Sequence, residues 1–241
     1  MTIGQSSDIS WSLRLQLVRS RIEAAARNAG RSPQAVRLLA VSKTFPATDV
    51  AQAHAAGQQA FGENYVQEGV EKMAALPLER SGIEWHCIGP IQSNKTRVVA
   101  EQFDWVQSVD RLKIAQRLND QRPGNLPPLN VCIQVNIDGG ATKSGVAPAE
   151  ADALADAILT MPNLRLRGLM CIPDPQPDWQ AQCSVFQQAK DLYDRWCGRG
   201  WPIDTLSMGM SSDLEAAVAS GSTMVRVGSA LFGQRDYQAA T

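Results

Sequence analysis

No apolar stretch in this chain approaches the roughly 20 consecutive residues that cross a bilayer. Met1 to Gly30, rich in Ser, Gln and Arg, has no apolar core of the secretory-signal type. A cytoplasmic location and no membrane partner are the expectation. Cysteine is scarce, with five residues, an odd number, and no CxxC spacing. That excludes a disulfide framework, and because Cys87, Cys132, Cys171, Cys183 and Cys197 fall mostly in strand or helix patterns, reduced buried thiols are expected. Only two histidines occur, His54 and His86, far apart, which leaves no ready metal-ligand set. Lys+Arg 23 against Asp+Glu 24 gives a net charge of -1, and no run of like charge could serve as a nucleic-acid arm. No GxGxxG follows the first strand pattern, so the dinucleotide fingerprint is missing. Neither a repeat, a low-complexity tract nor a linker divides the sequence, and residues 1–241 read as one domain.

What is present is an alternation of two periodicities. Ile9, Leu13, Leu17, Val18, Ile22, Ala25 and Ala29 recur at three- and four-residue spacing and stop at Gly30, predicting an N-terminal helix. Leu38 to Thr44 then forms an apolar run that ends on one lysine and is closed by Pro46. Further strand patterns lie at Ala60–Gly62, Ile83–Ile88, Phe103–Val109, Leu129–Val135, Leu164–Met170, Ile203–Met208 and Thr223–Val227. Helix patterns separate them, one with Asp110 as its expected cap and one running from Asp178 to Arg199. About eight strands alternating with helices over this length predict an α/β fold, a single TIM (β/α)8 barrel with an extra N-terminal helix. A doubly wound open sheet is the runner-up.

Polar, glycine-bearing segments cluster after the strands, as loops that build one active face would. Lys43 stands at a strand's carboxyl end, where a partly desolvated amine can capture a carbonyl. Ser212 and Glu215 have the spacing of a capping box just after strand 7, and strand 8 ends in Arg226-Val227-Gly228-Ser229. Ser211, Gly228 and Ser229 are thereby candidates for a phosphate cup. In a closed barrel strand 8 pairs with strand 1, which puts Arg226 near Lys43. An amine, an anion cup and a guanidinium together suit pyridoxal 5'-phosphate (PLP), and they suit equally a Schiff-base aldolase acting on a phosphorylated sugar. Composition and spacing do not separate the two.

Longer motifs carry more. Ala40-Val41-Ser42-Lys43, Phe61-Gly62-Glu63-Asn64-Tyr65-Val66-Gln67-Glu68, Trp85 to Lys95, Gly168 to Pro173, Ser207 to Ser211 and Val225 to Gly233 closely resemble the pyridoxal phosphate homeostasis protein family, the YggS/PROSC group. The resemblance runs over nearly the whole chain and implies a barrel like the N-terminal domain of alanine racemase. It implies that Lys43 carries PLP as a Schiff base, that Arg226 faces the pyridine nitrogen, that Ser211, Gly228 and Ser229 hold the phosphate, and that Asn64 lies beside the ring. Ser229 stands where the family more often has threonine, which keeps a hydroxyl. Cys87 and Cys171 replace other small or apolar residues and should alter packing only. His86 and Lys95 belong to the motif without an assignable role, His86 reading as a satisfied rim histidine. Glu63 and Glu68 either orient the loop around Asn64 or are solvated charges, and Trp85, Trp105 and the late-strand methionines read as core. Racemases of this fold append a β-domain that the chain has no room for after strand 8, and an arginine opposite the ring nitrogen disfavours carbanion chemistry. The expected function is therefore PLP binding and homeostasis without strong turnover, with apo PLP-dependent enzymes as possible recipients. A small PLP-dependent amino-acid racemase is the alternative.

Overall fold

A computed structural model describes residues 10–140 and 143–233. Eight strands, β1 (Arg37–Val41), β2 (Ala60–Glu63), β3 (Glu84–Cys87), β4 (Trp105–Val109), β5 (Leu129–Gln134), β6 (Leu164–Met170), β7 (Thr205–Ser207) and β8 (Met224–Val227), form a closed barrel in chain order. All neighbours are parallel, and β8 closes on β1 with Leu39 opposite Arg226. Helices α1 (Trp11–Asn28), α2 (Ala47–Ala55), α3 (Val66–Ala75), α4 (Thr96–Gln102), α5 (Leu112–Gln121), α6 (Ala151–Leu159), α7 (Trp179–Gly198), α8 (Leu214–Ala219) and α9 (Ser229–Phe232) complete the alternation. No helix among the described residues is long and apolar enough to cross a membrane.

Strand pleating divides the core into two layers. Alternate strand residues point to opposite faces, so Ala40, Phe61, Val106, Val131, Val225 and Val227 join the large cluster between sheet and helices. Their neighbours Leu39 and Val41, with Ala60, Ile88 and Met224, make a separate small cluster, as do Trp105, Cys132 and Met170. These smaller clusters fill the barrel interior. Trp85 and Trp105 are fully buried, in keeping with their expected place in the core.

The N-terminal helix is capped by Ser10, whose side chain accepts from the Leu13 amide, and ends before Gly30, which takes the left-handed φ of 67°. Ile9, at the head of the expected helix, lies outside the described residues. This helix packs against α2, α8 and α9 and so covers the seam where β8 meets β1. Trp11 meets the Phe232 ring edge-on at 5.1 Å and donates to Gln52 Oε1 at 2.7 Å.

Two expected caps are not formed. Arg111, not Asp110, occupies the N-cap of α5, and Asp110 instead pairs with the Arg111 guanidinium. The Ser212–Glu215 capping box is likewise absent, because α8 begins one residue later with Asp213 at its N-cap. Asp213 accepts from the Met210 amide, while Glu215 forms an ion pair with Arg21 of α1 at 2.9 Å. Of the cysteines, Cys87, Cys132 and Cys171 are buried free thiols with pKa values pushed up to about 12 by burial. Cys183 is half-buried and Cys197 is exposed, so the expected burial holds for three of the five.

Candidate functional site

The carboxyl rim of the barrel surrounds a cavity of about 810 Å³. Lys43, Asn64, Ser211, Arg226, Gly228 and Ser229 all line it, contributed by the segments after β1, β2 and β7, by β8 itself and by the segment after β8. The lining also includes Lys143, and among the described residues that line it there is no carboxylate. Lys43, Lys143 and Arg226 bring three cationic side chains to its wall.

Lys43 lies two residues beyond the end of β1 rather than on the strand, in a turn. Ser42 is fully buried despite its polarity, because its hydroxyl donates to Glu63 Oε1 at 2.6 Å. Thr44 follows with a φ of 69°, the sole non-glycine residue with positive φ among the described residues. Glu63 and Glu68 are thus not solvated charges. Both contact Lys72 of α3 at 2.7 Å, and Glu63 is wholly buried. Asn64 is placed by a close approach of two backbones. A Cβ on Gly89 would sit 2.0 Å from the Asn64 carbonyl oxygen, so only glycine lets the loop after β3 lie against the loop after β2.

The two late loops are short and face the same cavity. Gly228 is the N-cap of α9, whose first amides lack partners within the helix. A Cβ at Gly228 would lie 3.3 Å from the Val41 carbonyl, so the glycine lets the β8 loop rest against the end of β1. Ser229 is exposed and Ser211 half-buried. The Ser211 carbonyl accepts from Arg21 Nη2 at 3.1 Å, so α1 braces this loop from behind.

Arg226 is buried, at 3% exposure, and its position is set by a hydrogen-bonded chain through the barrel interior. Nη2 donates to the Cys171 carbonyl at 2.8 Å, and Nη1 donates to Ser207 Oγ at 2.8 Å. Ser207 in turn donates to Gln107 Oε1 at 2.6 Å, and the Gln107 amide donates to His86 Nδ1 at 2.9 Å. His86 Nε2 then faces Glu84 Oε1 at 2.8 Å, with Arg37 on the same carboxylate. Each group has one consistent direction of donation, which fixes His86 as the Nε2–H tautomer. Burial holds the imidazole below its ordinary pKa, so it is neutral at pH 7. Burial alone would raise Glu84, but the His86 hydrogen bond and the Arg37 charge bring it to about 2. Desolvation also lowers Arg226 from its ordinary value. His86 is therefore not a rim histidine. It lies in the interior, stacked on Trp105 at 5.0 Å.

Sequence reasoning missed Lys143, Phe45 and Gln134 in the lining. Lys143 follows a glycine pair in the loop after β5 and is held by Asp138 and Asp174, both at 2.9 Å. Burial pulls its pKa down, but these two carboxylates together hold it above the ordinary value. An amine between two aspartates is visible only in three dimensions, since Asp174 lies in another loop. Lys95, by contrast, is the N-cap of α4 without a side-chain cap bond and is absent from the cavity wall.

Residues 13–236 match the family profile described as the alanine racemase N-terminal domain. The pyridoxal phosphate homeostasis protein of Pseudomonas aeruginosa is 59% identical over 226 residues, covering 92% of this chain and 94% of its own. The chain belongs to the pyridoxal phosphate homeostasis protein family. Within the solved structures, PipY of Synechococcus elongatus, determined with PLP bound, superposes on this homeostasis-family chain with a TM-score of 0.80 at 36% identity. That match covers 93% of this chain and 100% of the other. Alanine racemase of Clostridium difficile shares the fold alone, with a TM-score of 0.71 at 15% identity over 93% of this chain and 58% of its own.

Proposed function

We propose that this chain binds PLP in the rim cavity and serves PLP homeostasis, holding the cofactor for delivery to apo PLP-dependent enzymes in the cytoplasm. In this reading residues 1–241 form one PLP-binding barrel domain, Lys43 bonds the cofactor's aldehyde as a Schiff base, and Ser211, Gly228 and Ser229 receive the phosphate. Arg226 faces the ring nitrogen and Asn64 flanks the ring. The observation that carries the reading is the meeting of an amine, a buried guanidinium and two small-residue loops on one carboxylate-free cavity.

The donor set suits the cofactor part by part. A phosphate needs amides, hydroxyls and positive potential, and the loops after β7 and β8 offer all three. When bound, PLP supplies an aldehyde for capture by an amine and a ring able to act as an electron sink. A guanidinium only donates hydrogen bonds, so Arg226 can face a ring nitrogen only where that nitrogen accepts. The interior chain through Ser207 and Gln107 fixes the guanidinium, which supports this reading. A nitrogen that must accept stays unprotonated, which makes the ring a poor electron sink. The protein thus retains the cofactor without turning over amino acids.

The test is to mix the PLP-loaded protein with an apo PLP-dependent enzyme and, separately, with D- and L-alanine in deuterated water. Cofactor should pass to the apo enzyme and restore its activity, while racemisation stays far below the usual enzyme range of about 1–1000 per second. Robust racemisation by the wild type that disappears in Lys43→Ala would replace this reading with a small racemase.

A further inference from the structure

The segment that carries Lys43 is held from behind by a buried ion cluster. Lys72 Nζ donates to the Ser42 carbonyl at 2.7 Å, to Glu63 Oε1 at 2.7 Å and to Glu68 Oε1 at 2.7 Å. Glu68 Oε1 also accepts from the Thr44 amide. The Ser42 carbonyl and the Thr44 amide belong to the two peptide groups that flank the Lys43 Cα. Both are thus anchored to one cluster, directly or through a single residue.

The placement is costly in several respects at once. Lys72 and Glu63 are almost wholly out of water, with side-chain exposures of 6% and 0%. The second oxygen of Glu63 is buried without a hydrogen-bond partner, and burial raises the pKa of this carboxyl against the pull of Lys72. Thr44 is held at a left-handed φ that a threonine disfavours. Gly69 makes the approach of α3 possible, since a Cβ there would lie 2.8 Å from Phe103 Cζ and 3.4 Å from Glu63 Cβ. A buried ion cluster adds little net stability over apolar packing, so stability alone does not account for this one. Strained backbone persists where its surroundings over-determine it, and such places concentrate at functional sites.

We propose that Lys72, with Glu63 and Glu68, is a positioning cluster for Lys43: it clamps the peptides on both sides of that residue and fixes how its amine is presented to the cavity. This rests on the reading of Lys43 as the amine that captures the PLP aldehyde. In that capture Nζ forms a bond to the aldehyde carbon, the carbonyl oxygen leaves as water with two hydrogens from the amine, and nothing is oxidised or reduced. The cluster touches neither reactant. Its contribution is to lower the freedom the amine must surrender on reaching the carbon.

Pyridoxine 5'-phosphate separates positioning from general integrity, because it keeps the ring and phosphate but has an alcohol in place of the aldehyde. Glu68→Ala removes the Thr44 anchor at a side chain that is 24% exposed, so the fold should survive. PLP capture, followed by absorbance, should weaken by about tenfold, the factor that roughly 1.4 kcal/mol corresponds to. Pyridoxine 5'-phosphate affinity, measured by calorimetry, should stay within about twofold of wild type. Glu68→Gln, which retains an acceptor for the Thr44 amide, should recover most of the loss, and Lys72→Met should show the same split where it folds. Capture by Glu68→Ala within about twofold of wild type, or equal weakening of both ligands, would overturn the proposal. A wild-type protein that captures no PLP on Lys43 would show that the functional reading itself has failed, and the inference falls with it.

Discussion

Ser207→Ala cuts the interior chain at its middle, and its cost can be worked from two hydrogen bonds. Ser207 Oγ donates to Gln107 Oε1 at 2.6 Å and accepts from Arg226 Nη1 at 2.8 Å, and all three residues are buried. The neutral bond contributes about 1 kcal/mol and the bond from the guanidinium about 1.5–3 kcal/mol, so the loss should total roughly 2.5–4 kcal/mol. The vacated hydroxyl leaves far less room than the roughly 30 Å³ a water occupies in the liquid, so solvent cannot replace it. At about 2–4 °C per kcal/mol for a chain of this size, Tm should fall by roughly 5–16 °C. Thermal unfolding followed by circular dichroism measures this, with Ser229→Ala as the control: Ser229 is exposed, and its loss should stay within about 0.5 kcal/mol. A Ser207→Ala protein that melts together with the control would show that Arg226 is not held by this chain.

The phosphate cup predicts that Ser211→Ala and Ser229→Ala each weaken PLP binding by about 1–3 kcal/mol in a titration, and that pyridoxal lacking the phosphate binds poorly to the wild type. Equal affinity for the two aldehydes would move the phosphate elsewhere. The interior chain also sets a direction for acid stability. His86 titrates lower in the folded state than in the unfolded chain, so stability should begin to fall as pH drops below about 6.5, where only the unfolded chain gains the proton. Glu84, ionised down to about 2 when folded, adds stability that is present above 4.5 and lost as pH falls toward 2. Urea midpoints measured against pH should show both segments, and His86→Gln should flatten the upper one; an unchanged upper segment would place its titration elsewhere.

The barrel was legible because each strand carries its own apolar run and each loop its own punctuation. The span Leu164–Met170 is the same in sequence and structure, and the β8–β1 closure follows from counting strands. Loops after strands share one face, which singles out Lys43, Ser211, Gly228 and Ser229; the pairing of strand 8 with strand 1 adds Arg226, the family resemblance adds Asn64, and all six line one cavity. What stayed hidden are partners far apart in sequence. Ser42 looks like an ordinary strand-end serine until Glu63 and Lys72 bury it. His86 reads as a rim residue because Gln107 and Ser207, which draw it inside, lie on other strands. Ser212 and Glu215 have the capping spacing, but Arg21, almost two hundred residues earlier, competes for the glutamate and Asp213 takes the cap.

The central claim is that Lys43 holds PLP covalently. The most direct measurement is to incubate the protein with PLP, record the visible spectrum, reduce with borohydride and locate the added mass by peptide mass spectrometry. The account predicts a yellow protein that borohydride bleaches, with one pyridoxyl group fixed on Lys43 and none fixed at that position in Lys43→Ala. A protein that stays colourless with PLP, or a pyridoxyl group fixed on another lysine while Lys43 remains unmodified, would contradict it.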